Sequence, residues 1–478
     1  MEVEDAFDLE AYAATYNGHA KIDRLIFIAD KIQGTARELE ALKMAAAELK
    51  KTEMTAKYLE VSNKLQARAG LNFAPDMDWV DAVDRRALQR QERLETELNG
   101  YKTNLVKESI RMGHNDLGDF FYHRGDLSNA FKNYMRTRDY STTSRHIIHM
   151  CLSVVKCSIE MGNYVHVPTY VQKAESTPDG QSDTLVRSKL ACASGLYLLE
   201  SGKYLQAARK FTEVSPELGS QYNEVISAHD VAVYGALCAM ASFDRSQLRA
   251  SVIDSPNFRE FLELVPEVRE ALNDFYGSRY TDCLPRLERL RSQLALDIHL
   301  HDHVDKLYQA VRNRALTQYV APFATLDLNS MAQAFNTSVG GIQSELAALI
   351  GQKEVSARID SHRQVLYARR SDQRSTTFRQ ALQAGEEYLR SSKALLLRAS
   401  IMKHDLIQKP SGGGGGGGPD QPGGRPDGPT GRHGRQREHR TERGEGRSGR
   451  AGFLGMGAIT ERLGMGGGGG ESGADTPF

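Results

Sequence analysis

The sequence runs to 478 residues and is poor in the features of secreted, membrane and redox proteins. It has five cysteines, Cys151, Cys157, Cys192, Cys238 and Cys283, with no CxxC pair, and each lies in an apolar, helix-like context. That usage fits buried free thiols in a reducing compartment, not a disulfide framework or a thiolate metal site. No apolar run approaches the roughly 18–20 residues of a membrane span. The acidic opening MEVEDAFDLEAY has neither a basic n-region nor an apolar h-region, so no secretory signal is expected. Lys+Arg and Asp+Glu are both 61, which leaves no global field to gather nucleic acid or an anionic membrane. The expected setting is cytoplasm and nucleus, with no membrane partner.

Catalytic signatures are also missing. There is no HExxH and no GxxxxGK[ST]; HIIH at 146–149 has no carboxylate between its histidines, and the glycine runs do not follow a strand or open a helix. One stretch is rich in ligand-type side chains: DIHLHDHVD, 297–305, with His299, His301 and His303 among Asp297, Asp302 and Asp305. A JAMM-type zinc isopeptidase needs an aspartate eleven residues beyond the second histidine of its H-x-H. Counting from His301 or His303 reaches Arg312 or Arg314, cations where an anionic ligand is required. Leu300, Val304, Leu307, Tyr308 and Val311 have helical spacing, and on a helix His301 points about 200° away from His299. If the helix begins later, Asp302 is the expected N-cap with Asp305 at the third position, leaving His299 and His301 as exposed linker residues. No catalytic residue, metal ligand or cofactor is expected. A zinc-dependent hydrolase using the 299–303 cluster stands as the alternative from a different class.

What is present is helical periodicity, with almost no strand-like alternation before residue 350. YNGHAKIDRLIFIAD fits a first hairpin, and EALKMAAAELKKTEMTAKYLEVSNKLQ reads as one long polar helix. Pro75 and Asp78, beside the only Trp, punctuate the chain before a charged helix at roughly 79–112. A turn then recurs. RGDL, MGNY and SGKY place Gly125, Gly162 and Gly202 at intervals of 37 and 40 residues, and the surroundings of Ser242 and Ser278 continue the spacing less clearly. Leu117, Gly118 and Phe121 precede the first turn, and Ala130 and Tyr134 follow it; Gly195, Leu198, Ala207 and Phe211 occupy the matching offsets around Gly202. Small residues that admit a facing aromatic are the pattern of a tetratricopeptide-like hairpin. A right-handed stack of such hairpins is expected from about residue 110 to 300.

After Pro322 the pattern changes. LDLNSMAQAF and VGGIQSELAALI read as two short helices around a turn; EVSARI alternates Val355, Ala357 and Ile359, and QVLYAR alternates Val365 and Tyr367. Helix, turn, helix and a two-stranded wing make a winged helix. Its second helix has no Arg or Lys and carries Glu345, so it lacks the charge that phosphate contacts need. Specific DNA binding is not expected, and protein docking is.

Helical repeats running into a winged helix resemble the PCI-domain family. The strings SGLYLLESGKYLQAARKF, AFNTSVGGIQSEL and ARIDSHRQVLYARRSDQRSTTF are similar to the subunit 1 branch of the COP-nine signalosome, over about residues 10–405. Subunit seven of the proteasome regulatory lid has the same layout, and SDQRSTTF after the wing favours the signalosome branch. The resemblance implies a non-catalytic scaffold in a complex that removes Nedd8 from cullins and tunes cullin–RING ubiquitin ligases. Winged helices then pack edge to edge with those of other signalosome subunits, C-terminal helices bundle together, and the zinc isopeptidase lies on another chain.

From TTFRQALQAGEEYLRSSKALLLRASIM, the positions Phe378, Leu382, Gly385, Leu389, Ser392, Leu396 and Ala399 make a heptad-like seam. The expected partner interface is Val355, Ile359, Val365 and Tyr367 on the wing with Phe378, Leu382, Leu389 and Leu396 on this helix. Beyond Pro410 the chain turns to glycine: 25 of its 43 glycines fall in the last 68 residues, a composition expected to be disordered. Residues 432–450 carry seven Arg against three Glu, read as a solvated tail, and FLGMGAITERLGM, 453–465, suits a short helix on a partner. The expected division is therefore a helical region (1–112), repeats (113–300), a winged-helix part (301–370), a bundle helix (371–409) and a tail (410–478).

Overall fold

The computed structural model describes residues 8–69, 75–369 and 373–404. Two units divide the chain, residues 1–387 and 388–478. The tail expected at 410–478, with its arginine-rich stretch and its 453–465 segment, lies outside the described residues.

The fold is mainly helical, as the 3.6-residue spacing requires. Its repeats are hairpins: Lys107–His123 with Leu127–Arg136, Ser144–Glu160 with Val167–Glu175, and Thr184–Glu200 with Tyr204–Thr212. Each first helix ends alike. Gly125, Gly162 and Gly202 take φ of 80°, 69° and 70°, and the following N–H reaches back to Phe121 O, Ser158 O or Leu198 O at 2.9 Å. Left-handed glycine plus this six-to-one bond closes the orphan carbonyls of the helix end. The less regular turn at Ser278 uses the same closure, with φ 59° and Arg279 N bonded to Asp274 O at 2.8 Å.

The small-and-large pattern works as expected. A Cβ on Gly118 would lie 2.6 Å from the Tyr134 ring, and one on Gly195 would lie 2.6 Å from the Phe211 ring. In both hairpins the missing side chain is the space the aromatic occupies. The middle hairpin fills the matching positions with Val155 and Val171, both buried.

Two helix boundaries differ from the sequence reading. The long polar helix is two helices, Ala36–Leu49 and Thr55–Ala69. Thr52 Oγ1 donates to Leu49 O at 2.8 Å, closing the first, and Met54 turns into the core; no Gly or Pro marks the break. The charged helix is Met77–Thr103 and stops well short of 112, because Leu105 is left-handed at φ 55° and Lys107–His123 starts a new axis. The first repeat helix therefore crosses the expected 112/113 boundary.

The winged helix is β1 (Thr325–Asp327), helices Leu328–Ala334 and Val339–Gly351, β2 (Ala357–Asp360) and β3 (Val365–Ala368). Its sheet runs β1-β3-β2, both pairs antiparallel. β1 escaped the sequence reading, since three residues are too few to show alternation. One apolar core runs from Tyr122 through the repeats and Leu300 to Leu366, so repeats and wing share an interior. The N-terminal helices bury a second cluster around Ile22, Leu25, Leu42, Tyr58 and Leu65.

Candidate partner-docking surfaces

The wing separates the predicted interface residues into two sets. Ile359 faces Leu366 across the β2–β3 ladder, on the same side as Ala357, and Leu366 is 1 % exposed. Val355 precedes β2 and is 6 % exposed, so this residue is spent on the domain's own core and is not open to a partner. The period of two puts Val365 and Tyr367 on the other side, with Asp360, Asp327, Arg358 and Thr325 as their cross-strand neighbours. Tyr367 is exposed, Val365 and Ile359 half-buried. The outward wing is thus a small mixed surface around one tyrosine. β2 pairs only with β3 among the described residues, leaving its other backbone edge open.

The second helix of the wing shows solvent a neutral face of Ser344, Ala347 and Ala348. Glu345 is held by Arg312, whose Nε donates at 2.9 Å while its Nη2 reaches Thr337 Oγ1 at 2.7 Å.

The last helix is Gln373–Lys403, 31 residues, or about 46 Å at 1.5 Å per residue. Along its seam Phe378 is 65 %, Leu382 53 %, Leu389 58 % and Leu396 71 % exposed. Tyr388, Leu395, Leu397 and Met402 are exposed as well. Fully burying a large apolar side chain contributes about 1.5–3 kcal/mol, so the four seam residues, already partly covered, offer a partner less than the roughly 6–12 kcal/mol of four fully exposed ones. Association itself costs an estimated 4–15 kcal/mol. The helix face alone sits near break-even, and a stable contact needs a second surface such as the wing.

The histidine stretch is built differently from its sequence appearance. Helix Val304–Val320 has His303 as its N-cap, not Asp302. The three rings go to three different neighbours. His299 Nδ1 is 3.3 Å from Tyr164 OH, His303 Nδ1 is 3.1 Å from Tyr204 OH, and His301 Nδ1 is 3.2 Å from Ile298 O with its ring against Phe27. His299 and His301 are half-buried, not exposed linker residues, because the intervening Leu300 is pulled into the core. Burial, then the nearby Arg24 charge, lowers His299 to about 4, so the ring is neutral. Arg312 and Arg314 turn away to Glu345 and Asp244. Among the described residues no group of three or more His, Cys, Asp or Glu is placed to hold a metal ion.

Asp297, a neighbour of the histidines in sequence, belongs to a buried network. Arg24, 2 % exposed, donates from Nη1 to Asp297 Oδ2 at 2.6 Å and to Tyr12 OH at 2.7 Å, and from Nη2 to Asp230 Oδ2 at 3.0 Å. Tyr16 OH donates to Asp230 at 2.7 Å and Tyr234 OH to Asp297 at 2.6 Å; the guanidinium also lies 4.1 Å from the Tyr16 ring centre. Asp297 Oδ1 further accepts the N–H groups of His299 and Leu300, which fixes the 297–303 turn. Burial opposes the charge on Asp297, but Arg24 beside it holds the carboxyl below the usual range. One arginine thus ties the N-terminal helices to the repeat helix Ala228–Ser242 and to the approach to the wing. The sequence carries one signal for it, a charge between Ile22 and Leu25 on an apolar helix face.

Comparison with known proteins gives three family matches along the chain. A family model described as 26S proteasome subunit RPN7 matches residues 76–251, the PCI domain matches 281–370, and the C-terminal helix of COP9 signalosome complex subunit 1 matches 373–400. COP9 signalosome complex subunit 1 of Arabidopsis thaliana is 56 % identical over 402 residues, covering 84 % of this chain and 91 % of that protein. COP9 signalosome complex subunit 1b of Drosophila melanogaster is 38 % identical over 84 % of this chain and 87 % of its own length. By contrast, 26S proteasome non-ATPase regulatory subunit 6 of Caenorhabditis elegans is 23 % identical over 71 % of this chain and 84 % of its own. The lid-subunit model covers repeat helices and the PCI model the winged helix, while most of the exposed last helix falls in the match to the subunit 1 C-terminal helix. The chain belongs to the COP9 signalosome complex subunit 1 family.

Proposed function

We propose that the chain is a non-catalytic scaffold subunit of a signalosome, the complex that removes Nedd8 from cullins and so regulates cullin–RING ubiquitin ligases. It assembles through the outward wing around Tyr367 and the seam Phe378, Leu382, Leu389 and Leu396, with other PCI subunits as partners. The zinc isopeptidase chemistry belongs to another subunit, and the complex acts in cytoplasm and nucleus. The observation that carries this reading is the last helix: its large apolar residues are exposed in the segment that matches the family's C-terminal helix.

The test is affinity purification of the tagged full chain from cells, followed by mass spectrometry and a cullin deneddylation assay. Signalosome PCI subunits, the isopeptidase subunit and deneddylating activity are expected together. Recovery of proteasome-lid subunits instead would replace this reading with the lid. Stoichiometric zinc in the isolated chain, lost in His299→Ala, would overturn the non-catalytic assignment.

A further inference from the structure

The seam is not the whole apolar face of the last helix. At about 100° per residue, Tyr388, Leu395 and Met402 form a second row turned roughly 100–140° from Leu389, and all three are exposed. Ser392 and Ala399 lie between the two rows, small side chains that set them apart. A paired helix fills one narrow stripe, so a partner on Leu389 and Leu396 leaves the second row uncovered.

The chain itself carries a segment suited to that row. Beyond residue 410, every Leu, Ile, Met and Phe except Phe478 falls within 453–465. On a helix Phe453, Met456, Ile459 and Leu463 share one face, with Glu461 and Arg462 turned away and Leu454 and Met465 outside it. Such a helix is about 18 Å long, against about 21 Å from Tyr388 to Met402. The link to it is residues 405–452, 48 in all and rich in glycine. A Gly-rich chain of that length has an end-to-end distance of about 35–42 Å, and the far end of the row is about 24 Å from His404. The link therefore reaches back along the helix and holds the segment there at an effective concentration on the order of a millimolar. Gly455, Gly457 and Gly464 weaken a free helix in the segment, so its order has to come from a surface.

We propose that residues 453–465 fold back as a short amphipathic helix onto the Tyr388, Leu395 and Met402 row of the same chain. The Leu389 and Leu396 row stays free for assembly, and the arginine-rich stretch 432–450 is closed into a loop beside it.

Hydrogen exchange with millisecond labelling, read by mass spectrometry on the isolated full chain, tests it. Amides of 453–465 should exchange about tenfold more slowly in wild type than in Leu395→Glu with Met402→Glu, as a contact of about 0.1 mM gives at a millimolar effective concentration. Both positions are exposed and Glu is a good helix former, so the last helix persists in that variant. In the converse variant, Met456→Glu with Leu463→Glu, amides of 388–402 should exchange faster. Equal exchange of 453–465 in wild type and in Leu395→Glu with Met402→Glu overturns the proposal. So does protection that rises with protein concentration, the mark of a second copy, or that appears only when signalosome subunits are added, the mark of a partner. The chain is measured alone, so the result stands apart from the assembly reading, which rests on Leu389 and Leu396.

Discussion

Replacing Arg24 with Met should be the most damaging single change in the N-terminal half. The side chain is similar in length, so the loss is mainly the charge and its hydrogen bonds to Asp230, Asp297 and Tyr12. Both carboxylates then stay buried without a cation. Breaking one side of a buried ion pair costs about 3–5 kcal/mol. At about 2 °C per kcal/mol for a large domain, the melting midpoint should fall by roughly 6–10 °C. Calorimetry or circular dichroism on the full chain reads this directly. The pH dependence gives a second handle. In wild type the lowered Asp297 contributes stability above its unfolded value near 3.9 and loses it on acidification below that. Without Arg24, burial raises the same carboxyl above 3.9, so the deficit of the variant should shrink as pH falls towards that value. Adding Asp230→Asn and Asp297→Asn should recover part of the loss. A midpoint within 1–2 °C of wild type, or a triple variant no better than the single, would refute the view of Arg24 as a central tie.

A second buried pair makes the opposite pH prediction. Burial raises Glu160 to about 8 and lowers His19 to about 3. From pH 6.5 to 8 only Glu160 is bound to a proton in the folded state alone, so stability should fall with rising pH at up to about 1.4 kcal/mol per unit. Glu160→Gln, which keeps an acceptor for Tyr122 OH, should flatten that slope in pH-resolved melts. Gly118→Ala should cost about 1–3 kcal/mol by driving a methyl into the Tyr134 ring, whereas Gly340→Ala, with open space in a helix, should gain about 0.5–1 kcal/mol. Leu366→Ala should cost about 2–5 kcal/mol of folding, while its neighbour Tyr367→Ala should leave the melt within about 0.5 kcal/mol and weaken co-purification.

The repeats and wing were legible because each rests on a local rule: a left-handed glycine after a helix, a glycine opposite an aromatic, an alternation of two. What was not legible depends on distance along the chain. Asp297 sits beside three histidines in sequence, yet its partners are Arg24 and Tyr234, 273 and 63 residues away. No spacing rule reports such a contact. Breaks without Gly or Pro, at Thr52 and at Leu105, were missed for a related reason: a hydroxyl bonded to its own helix end and a leucine in the left-handed region carry no compositional mark. The seam of the last helix could be read, because an apolar stripe does not depend on what covers it. Val355 could not be told from Val365 without the register, since a slip of one residue exchanges core for surface.

The central claim, that an exposed apolar helix docks this chain to its partners, is tested most directly by Leu389→Glu with Leu396→Glu. The two residues are 58 % and 71 % exposed, so the isolated chain should melt as wild type does. Co-expression with signalosome subunits followed by size-exclusion chromatography should show the variant eluting alone. A variant that folds normally and still co-elutes with those subunits would contradict the account.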